Sequence, residues 1–248
     1  MVYRFQTKMK KTSFTGITLR TFTLLCKLNY VGYIIIFMER FILDTNLFFN
    51  MESGLQLGQK TEEVIVSLTH LMQSLKSQKK AEFLMPPRVV EEMLGFFEDR
   101  EQPFLKTFLS QITIKSPAID ALQIPAAVFQ TFVEENRTRS YRGLNIAEEE
   151  IIKAGQLLLG KSELGKKEFE MTVGPIIKNF RERYRAATRF GFIDSLADLD
   201  LLLLVKETNG YLVSTDEGVI RWGRIIGLKE MAAAVFAQKL ANLQAKAG

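Results

Sequence analysis

The sequence predicts an α/β fold, a parallel sheet flanked by helices, with a helical insert that protrudes from it. Short apolar runs, which are typical of buried parallel strands, alternate with stretches in which apolar residues recur at helical spacing. This alternation indicates a sheet that helices cover on both faces. Residues 118–190 interrupt it, because their patterns are helical throughout.

The part of the chain before residue 118 contains three predicted strands and the helices between them. The predicted strands cover residues 41–43, 83–85 and 112–114. The predicted helices cover residues 60–75, 89–97 and 104–109. Pro86 and Pro117 follow the second and third strands and are expected to end them, because proline donates no backbone hydrogen bond.

The rest of the chain is predicted to be helical at first and then to return to the sheet. Within 118–190 the helices are expected to break near 142–143 and 174–175, where glycine or proline disfavours a helix. The elements expected after the insert are a helix over 193–208, a strand at 211–213, a strand near 225–228 and an alanine-rich terminal helix.

The first 37 residues are set apart from the predicted sheet. They contain no run of the roughly 20 apolar residues that a membrane span needs, and no small-residue cleavage site follows their apolar part. We interpret residues 1–37 as an extension that is either a non-native start or disordered, and we expect a cytoplasmic protein with no membrane partner. The remainder divides into a core, residues 38–117 and 191–248, and the insert, residues 118–190.

Composition excludes several kinds of functional site. A hydrophobic fraction of 47% and a charged fraction of 25% are typical of a protein with a packed core. The one cysteine, Cys26, excludes an internal disulfide framework and a multi-cysteine zinc site. The one histidine, His70, lies in an amphipathic helical run, which disfavours a Ser-His-Asp triad and excludes a histidine-rich metal site. Any metal site is therefore expected to use oxygen ligands, and the net charge of +5 is compatible with a polyanionic partner.

Aspartates follow two of the predicted strands near the points where these strands end. Asp44 comes directly after residues 41–43, and Asp216 comes shortly after residues 211–213. Open parallel sheets bind ligands at this edge. An aspartate at such a position can also form a turn or cap the next helix, so this alternative stays open for both residues.

Two further aspartates lie at the start of the predicted helix over 193–208. Asp194 and Asp198 are four residues apart and share one helical face, whereas Asp200 points away from both. Asp194 has an alternative role as the N-cap of this helix. Asp198 lies one turn further in, ahead of an apolar stretch that should be buried.

Four carboxylates that meet in one cleft repel one another, at about 4 kcal/mol for each pair about 4 Å apart in an effective dielectric near 20. Such a cluster either takes up protons or binds a divalent cation, and oxygen ligands suit Mg²⁺ or Mn²⁺. One or two such cations can activate water and stabilise a phosphate, as phosphodiester hydrolysis requires. The candidate catalytic and metal-binding residues are Asp44, Asp194, Asp198 and Asp216, with Thr45, Asn46 and Thr215 as supporting hydrogen-bond donors.

A basic stripe precedes Asp194. Arg181, Arg185 and Arg189 recur every four residues and therefore lie along one helical face, while Arg183 points elsewhere. The stripe leads into the predicted acidic cleft and is suited to a phosphate backbone. The alternative is an ordinary solvated face that pairs in part with neighbouring acids.

Several segments resemble the acidic motifs of PIN-domain nucleases. Residues 41–46 are similar to the opening of these domains, and Asp198 with the apolar helix after it resembles their third motif. Residues 212–216 resemble the fourth motif. Glu91 and Glu92 lie near the position of the second motif. Glu92 is the better match to it, but both glutamates remain outside the predicted site.

Within that superfamily, residues 194–200 and 216–222 and the long helical insert resemble the minimal protein-only RNase P proteins, the HARP family, also called RNA ligase partner proteins. The resemblance covers residues 38–228 and leaves out the alanine-rich tail. It implies a PIN-like sheet and a magnesium-dependent endonuclease that removes the 5′ leader of precursor tRNA. It also implies a large homo-oligomer, built from dimers through the insert, with Arg181 and Arg185 on the RNA.

Two alternatives remain open at this point. PIN-type RNase toxins share the acidic motifs and act on other RNA, but they usually lack so long a helical insert. A non-catalytic RNA-binding partner of an RNA ligase would gain nothing from a repulsive acidic cluster beside RNA.

Overall fold

A computed structural model describes residues 38–50, 55 and 57–245 of the chain. The predictions for residues 1–37 lie outside the described residues. The elements are β1 (Glu39–Leu43), α1 (Asn46–Phe49), α2 (Thr61–Ser77), β2 (Ala81–Met85), α3 (Pro87–Gly95), α4 (Pro103–Gln111), β3 (Ile112–Ile114), a short 3₁₀ helix (Ile119–Ala121), α5 (Ala126–Leu158), α6 (Lys166–Thr188), α7 (Leu196–Thr208), β4 (Tyr211–Val213), α8 (Glu217–Ile226), β5 (Lys229–Met231) and α9 (Ala233–Ala245).

The strands form one parallel sheet in the order β3-β2-β1-β4-β5. From β1 the chain moves outward through β2 to β3, and it later returns to place β4 on the other side of β1. The loops after β1 and β4 therefore diverge, which opens a crevice at the carboxyl ends of these two strands. The predicted α/β class, with a parallel sheet flanked by helices, is confirmed.

The core lies on both faces of the sheet around its central strand, β1. Phe41, Ile42 and Leu43 of β1 are fully buried, as the continuous apolar run predicts. The C-terminal helix α9 packs on this core, since the Phe236 ring lies 5.2 Å from that of Phe41. The alanine-rich tail is thus a part of the fold that buries apolar surface.

The two long helices α5 and α6 pack against each other, and the predicted breaks within them are wrong. Both helices continue through the expected break points, and the chain turns instead at residues 159–165. Gly143 lies where the helices approach closely: a Cβ there would come within 2.7 Å of Cε2 of Tyr184. Glycine at this position permits helix packing and does not end the helix. Pro175 is accommodated inside α6.

The boundaries near the C-terminus also differ from the prediction. The strand expected at 225–228 is wrong, because α8 continues to Ile226 and β5 begins at Lys229. Gly227, with φ of 76°, ends the helix in the left-handed conformation that glycine adopts readily. Among the described ranges, no helix has the length and apolar character that crossing a membrane requires.

Candidate active site

Asp44 lies at the bottom of the crevice between β1 and β4. Its backbone N–H donates to the Val213 carbonyl at 3.1 Å, and its side chain is 4% exposed. The Ser214 hydroxyl donates to Oδ2 of Asp44 at 2.5 Å and accepts the backbone N–H of Asp216 at 3.0 Å. One serine thus connects the acids that follow β1 and β4.

The hydroxyl that donates to Asp44 belongs to Ser214 and to none of the donors expected from the sequence, which were Thr45, Asn46 and Thr215. Thr45 donates its hydroxyl to the Val89 carbonyl at 3.2 Å, and so ties the loop after β1 to α3. Asn46 is exposed at the start of α1. Ser214 was missed as a functional residue, although a hydroxyl between a strand and an aspartate is a usable signal.

Asp198 lies in the first turn of α7, and Asp216 is the residue just before α8. Ser195 caps α7, accepting the backbone N–H of Asp198 at 3.0 Å. The alternative that Asp194 caps this helix is therefore wrong. Asp216 caps α8 through its Oδ1, which accepts the Val219 N–H at 2.9 Å. Asp216 thus has the capping role expected as an alternative, and it also faces the acidic cluster.

The predicted aspartates lie close enough for their charges to influence one another. Burial raises the pKa of Asp44 from 3.8 to about 6; the Ser214 hydrogen bond opposes this rise, and the charges of Asp198, Asp216 and Glu92 add to it. Desolvation likewise raises the pKa of Asp198 to about 6, with further contributions from the nearby acids and an opposing hydrogen bond from Ser195. Asp194 is among the acids that raise the pKa of Asp198.

Glu92 of α3, which the sequence prediction left outside the site, lies close enough to the cluster for its charge to act on Asp44 and Asp198. Burial and the charge of Asp216 raise its pKa. Asp200 does not join, because its buried carboxylate accepts a hydrogen bond from Nη1 of Arg88 at 2.5 Å. The Arg88–Asp200 pair connects α3 to α7, the helices that carry Glu92 and Asp198.

Within residues 38–50, 55 and 57–245, no three acidic, histidine or cysteine side chains are arranged ready to hold a metal ion. Ser214 and the Val219 N–H each bind one of the carboxylates, and carboxylates of like charge repel. The donor chemistry nevertheless fits a hard divalent cation: the side chains offer oxygen ligands, and two of them have raised pKa values. The metal-binding role of the aspartates remains a prediction.

A cleft of about 370 Å³ joins the acidic cluster to the basic stripe. Its acidic lining includes Asp194, Asp198 and Asp216, and its basic lining comprises Arg185 and Arg189. Asp194 and Arg189 also form an ion pair at 3.6 Å. Arg181 is exposed on α6 but does not line the cleft.

Arg183 points away from the cleft, as predicted. Its guanidinium contacts Glu149 at 2.7 Å and Glu150 at 2.6 Å on the neighbouring helix α5. The alternating orientation of Arg183 and Arg185 follows from helix geometry, because residues two apart lie on different faces.

A clamp formed by Glu135, Arg139 and Arg221 holds the turn that leads from α6 to the acids. Arg139 donates to the carbonyls of Thr188 at 3.3 Å and of Phe190 at 2.9 Å. Arg221 donates to the Gly191 carbonyl at 3.1 Å, and both arginines bind the Glu135 carboxylate. The clamp could not be predicted from the sequence, because Glu135 and Arg139 lie on α5 whereas Arg221 lies on α8.

A parallel sheet of this order, with acidic side chains beside the carboxyl ends of β1 and β4, is typical of PIN-type α/β nucleases. Residues 40–245 match the PINc domain ribonuclease family. The chain belongs to that family and, within it, to the RNA-free ribonuclease P proteins.

Three relatives illustrate the similarity, and each of them is named RNA-free ribonuclease P. The protein from Pyrococcus horikoshii is 31% identical, over 84% of this chain and 95% of its own length. The protein from Hyperthermus butylicus is 36% identical, over 76% and 81%. The protein from Alkalilimnicola ehrlichii is 34% identical, over 84% and 99%.

These comparisons confirm the predicted family and the predicted enzyme class, an endoribonuclease. They correct the C-terminal end of the predicted resemblance. The prediction ended at residue 228, whereas the family match continues to residue 245. The packing of α9 on the central strands gives the physical reason, since the tail completes the core.

Proposed function

We propose that this chain removes the 5′ leader of precursor tRNA in the cytoplasm as a metal-dependent endoribonuclease. Asp44, Asp194, Asp198 and Asp216 are the proposed catalytic and metal-binding residues, with Mg²⁺ or Mn²⁺ as the cation. One observation carries the proposal: Asp44, Asp198 and Asp216 interact electrostatically beside the carboxyl ends of β1 and β4, and the last two also line a cleft with arginines. The relatives named RNA-free ribonuclease P support the choice of substrate.

The side chains of the cluster are suited to hold a cation. Ser214 orients Asp44 and the Val219 N–H orients Asp216, so two carboxylates are fixed before a ligand binds. The raised pKa values of Asp44 and Asp198 favour proton uptake, and a cation would displace these protons. When bound, the cation would supply positive charge for the phosphate and lower the pKa of water.

Arg181 and Arg185 are the proposed RNA-binding residues on the basic stripe. Both are exposed on α6, and Arg185 lines the cleft beside the acids. An arginine guanidinium binds a phosphate through two parallel hydrogen bonds. The stripe would therefore fix the register of the RNA backbone without reading its sequence.

We also propose that α5 and α6 pair protomers in a large homo-oligomer built from dimers. These helices carry many large apolar side chains that are at least 45% exposed: Tyr141, Leu144, Ile151, Ile152, Phe169, Met171 and Ile177. Exposed apolar surface of this kind is typical of protein interfaces. Sedimentation of wild type and of Ile151→Glu tests the proposal, and a monomeric wild type would contradict it.

The central experiment incubates the protein with a precursor tRNA, with and without Mg²⁺, and maps the ends of the products. We expect one Mg²⁺-dependent cut between the leader and the mature 5′ end. Asp198→Asn should retain the fold by circular dichroism and lose cleavage, because Asn keeps the size of the side chain and removes its charge. Asp120→Asn, which changes an aspartate on the distant 3₁₀ helix, is the control.

The outcomes separate the alternatives. Unchanged cleavage by Asp198→Asn would remove Asp198 from the site. Cuts within mature tRNA or in unrelated RNA would favour the toxin class. RNA binding without any cleavage would favour a non-catalytic partner of an RNA ligase.

A further inference from the structure

Phe190 is an exposed aromatic residue in the candidate active site. Its side chain is 70% exposed, and it lines the same cleft as the basic residue Arg189 and the acidic residue Asp198. Leaving a phenylalanine ring in water forgoes roughly 1.5–3 kcal/mol of burial free energy. Single exposed apolar residues are common, so the position of this ring needs further evidence before it indicates a function.

The backbone beside Phe190 is held firmly. Arg139 donates to the Phe190 carbonyl at 2.9 Å, and Arg221 donates to the next carbonyl along the chain. Two residues further on, Phe192 turns inward and lies 5.3 Å from Phe132 and 5.8 Å from Trp222. The clamp and this aromatic cluster fix the turn on both sides, so that the Phe190 ring is presented outward by an ordered segment.

The neighbours of Phe190 select the kind of ligand that the ring would contact. Arginines on one side suit phosphates, and carboxylates on the other side suit the cation that cleavage requires. Binding of an apolar protein surface here would remove these charges from water, which is unfavourable in free energy. A single RNA strand matches this lining, because its phosphates can bind the arginines and its bases can stack on the Phe190 ring.

We propose that Phe190 stacks on an unpaired nucleobase beside the phosphate that is cut. Every base has such a face, so the contact carries little sequence preference. It requires an unstacked nucleotide next to the cleavage point, which a single-stranded leader provides and a continuous duplex does not. This inference rests on the proposed function and adds to it a residue that positions the leader.

The test uses the full chain and a precursor tRNA that carries 2-aminopurine in the leader, next to the cleavage point. Stacking on Phe190 should quench the fluorescence of this base on binding. Phe190→Ala should lose the quenching and weaken binding about tenfold, whereas Phe190→Trp should retain both properties. Phe129→Ala is the matched control, because Phe129 is 68% exposed but does not line the cleft.

Each outcome bears on the inference. Equal binding and quenching for Phe190→Ala and wild type would overturn it, and so would a folded Phe190→Trp that behaves like Phe190→Ala. If wild type fails to cut precursor tRNA, the proposed function fails. The stacking inference is then tested by the same titration with a short single-stranded RNA that carries 2-aminopurine, where equal quenching by wild type and Phe190→Ala would overturn it.

Discussion

The Ser214 hydroxyl, which follows β4, donates a hydrogen bond to the buried carboxylate of Asp44, which follows the neighbouring strand β1. Burial disfavours the charged form of this carboxylate, and the hydrogen bond favours it. Ser214 therefore helps to keep Asp44 available as an anionic ligand near neutral pH, and it also accepts the Asp216 N–H.

Replacing Ser214 by alanine should shift the acidic limb of the pH–rate profile to higher pH. The variant loses a bond that lowers the pKa of Asp44, so a larger fraction of Asp44 is protonated and unable to bind a cation. A hydrogen bond to a charged group contributes roughly 1.5–3 kcal/mol, which predicts a loss of about tenfold or more in kcat/KM near pH 6. Single-turnover cleavage over a pH series measures this effect, with Ser110→Ala on the surface as control. Superimposable profiles would argue against the role of Ser214.

Ionisation of Asp44 should lower the free energy of unfolding of the metal-free protein as pH rises from 3.8 to about 6. The folded-state pKa of Asp44, about 6, lies above its ordinary value of 3.8, so the folded state holds a proton that the unfolded state has released. The difference of about two units corresponds to roughly 3 kcal/mol. Urea unfolding in EDTA measures the free energy of unfolding at each pH. Asp44→Asn, which cannot titrate, isolates the contribution of Asp44 and should show a shallower decline.

Mg²⁺ should reverse this decline, because it binds the ionised carboxylates and stabilises the folded state by mass action. The gain in melting temperature on adding Mg²⁺ should be larger near pH 7.5 than near pH 5, where protons compete for the same oxygens. A gain that is equal at both pH values, or that persists in Asp44→Asn, would place the cation elsewhere.

Glu92 should contribute to Mg²⁺ affinity, whereas its neighbour Glu91 should not. Glu92 contributes to the raised pKa values of Asp44 and Asp198, so it faces the same ligand. Glu92→Gln should raise the Mg²⁺ concentration for half-maximal cleavage by about threefold to tenfold, equivalent to roughly 1 kcal/mol of charge interaction. Glu91→Gln is the adjacent control. Identical Mg²⁺ titrations for the two variants would remove Glu92 from the cluster.

Substitutions of Arg185 and Arg183 should affect different properties, although the two residues are only two positions apart. Arg185 lines the cleft, so Arg185→Ala should weaken RNA binding and reduce the slope of log affinity against log salt by about one. Arg183 instead pairs with Glu149 and Glu150, so Arg183→Ala should lower the melting temperature and leave the salt slope unchanged. Equal salt slopes for the two variants would count against the basic stripe.

Local patterns in the sequence were sufficient to predict four of the five strands. A continuous apolar run such as residues 41–43 indicates a buried strand, and the residue after it must lie at the edge of the sheet. The shared helical face predicted for Asp194 and Asp198 is wrong, because α7 begins at Leu196 and Asp194 lies in the loop before it. The order of the strands was needed to explain why Asp44 and Asp216 meet, since both flank the crevice between β1 and β4.

Contacts between distant segments could not be predicted in this way, because local periodicity carries no information on which helices and strands become neighbours. Ser214 and Asp44 are 170 residues apart, and Arg221 and Glu135 are 86 apart. The sequence around Gly143 is compatible both with a break in the helix and with a close contact between two helices. Only the position of Tyr184 on α6 shows that the glycine permits a close contact. Packing therefore fixed the supporting hydrogen bonds, the clamp and the outward position of Phe190, while hydrophobic spacing along the chain had already fixed the elements that carry the acids.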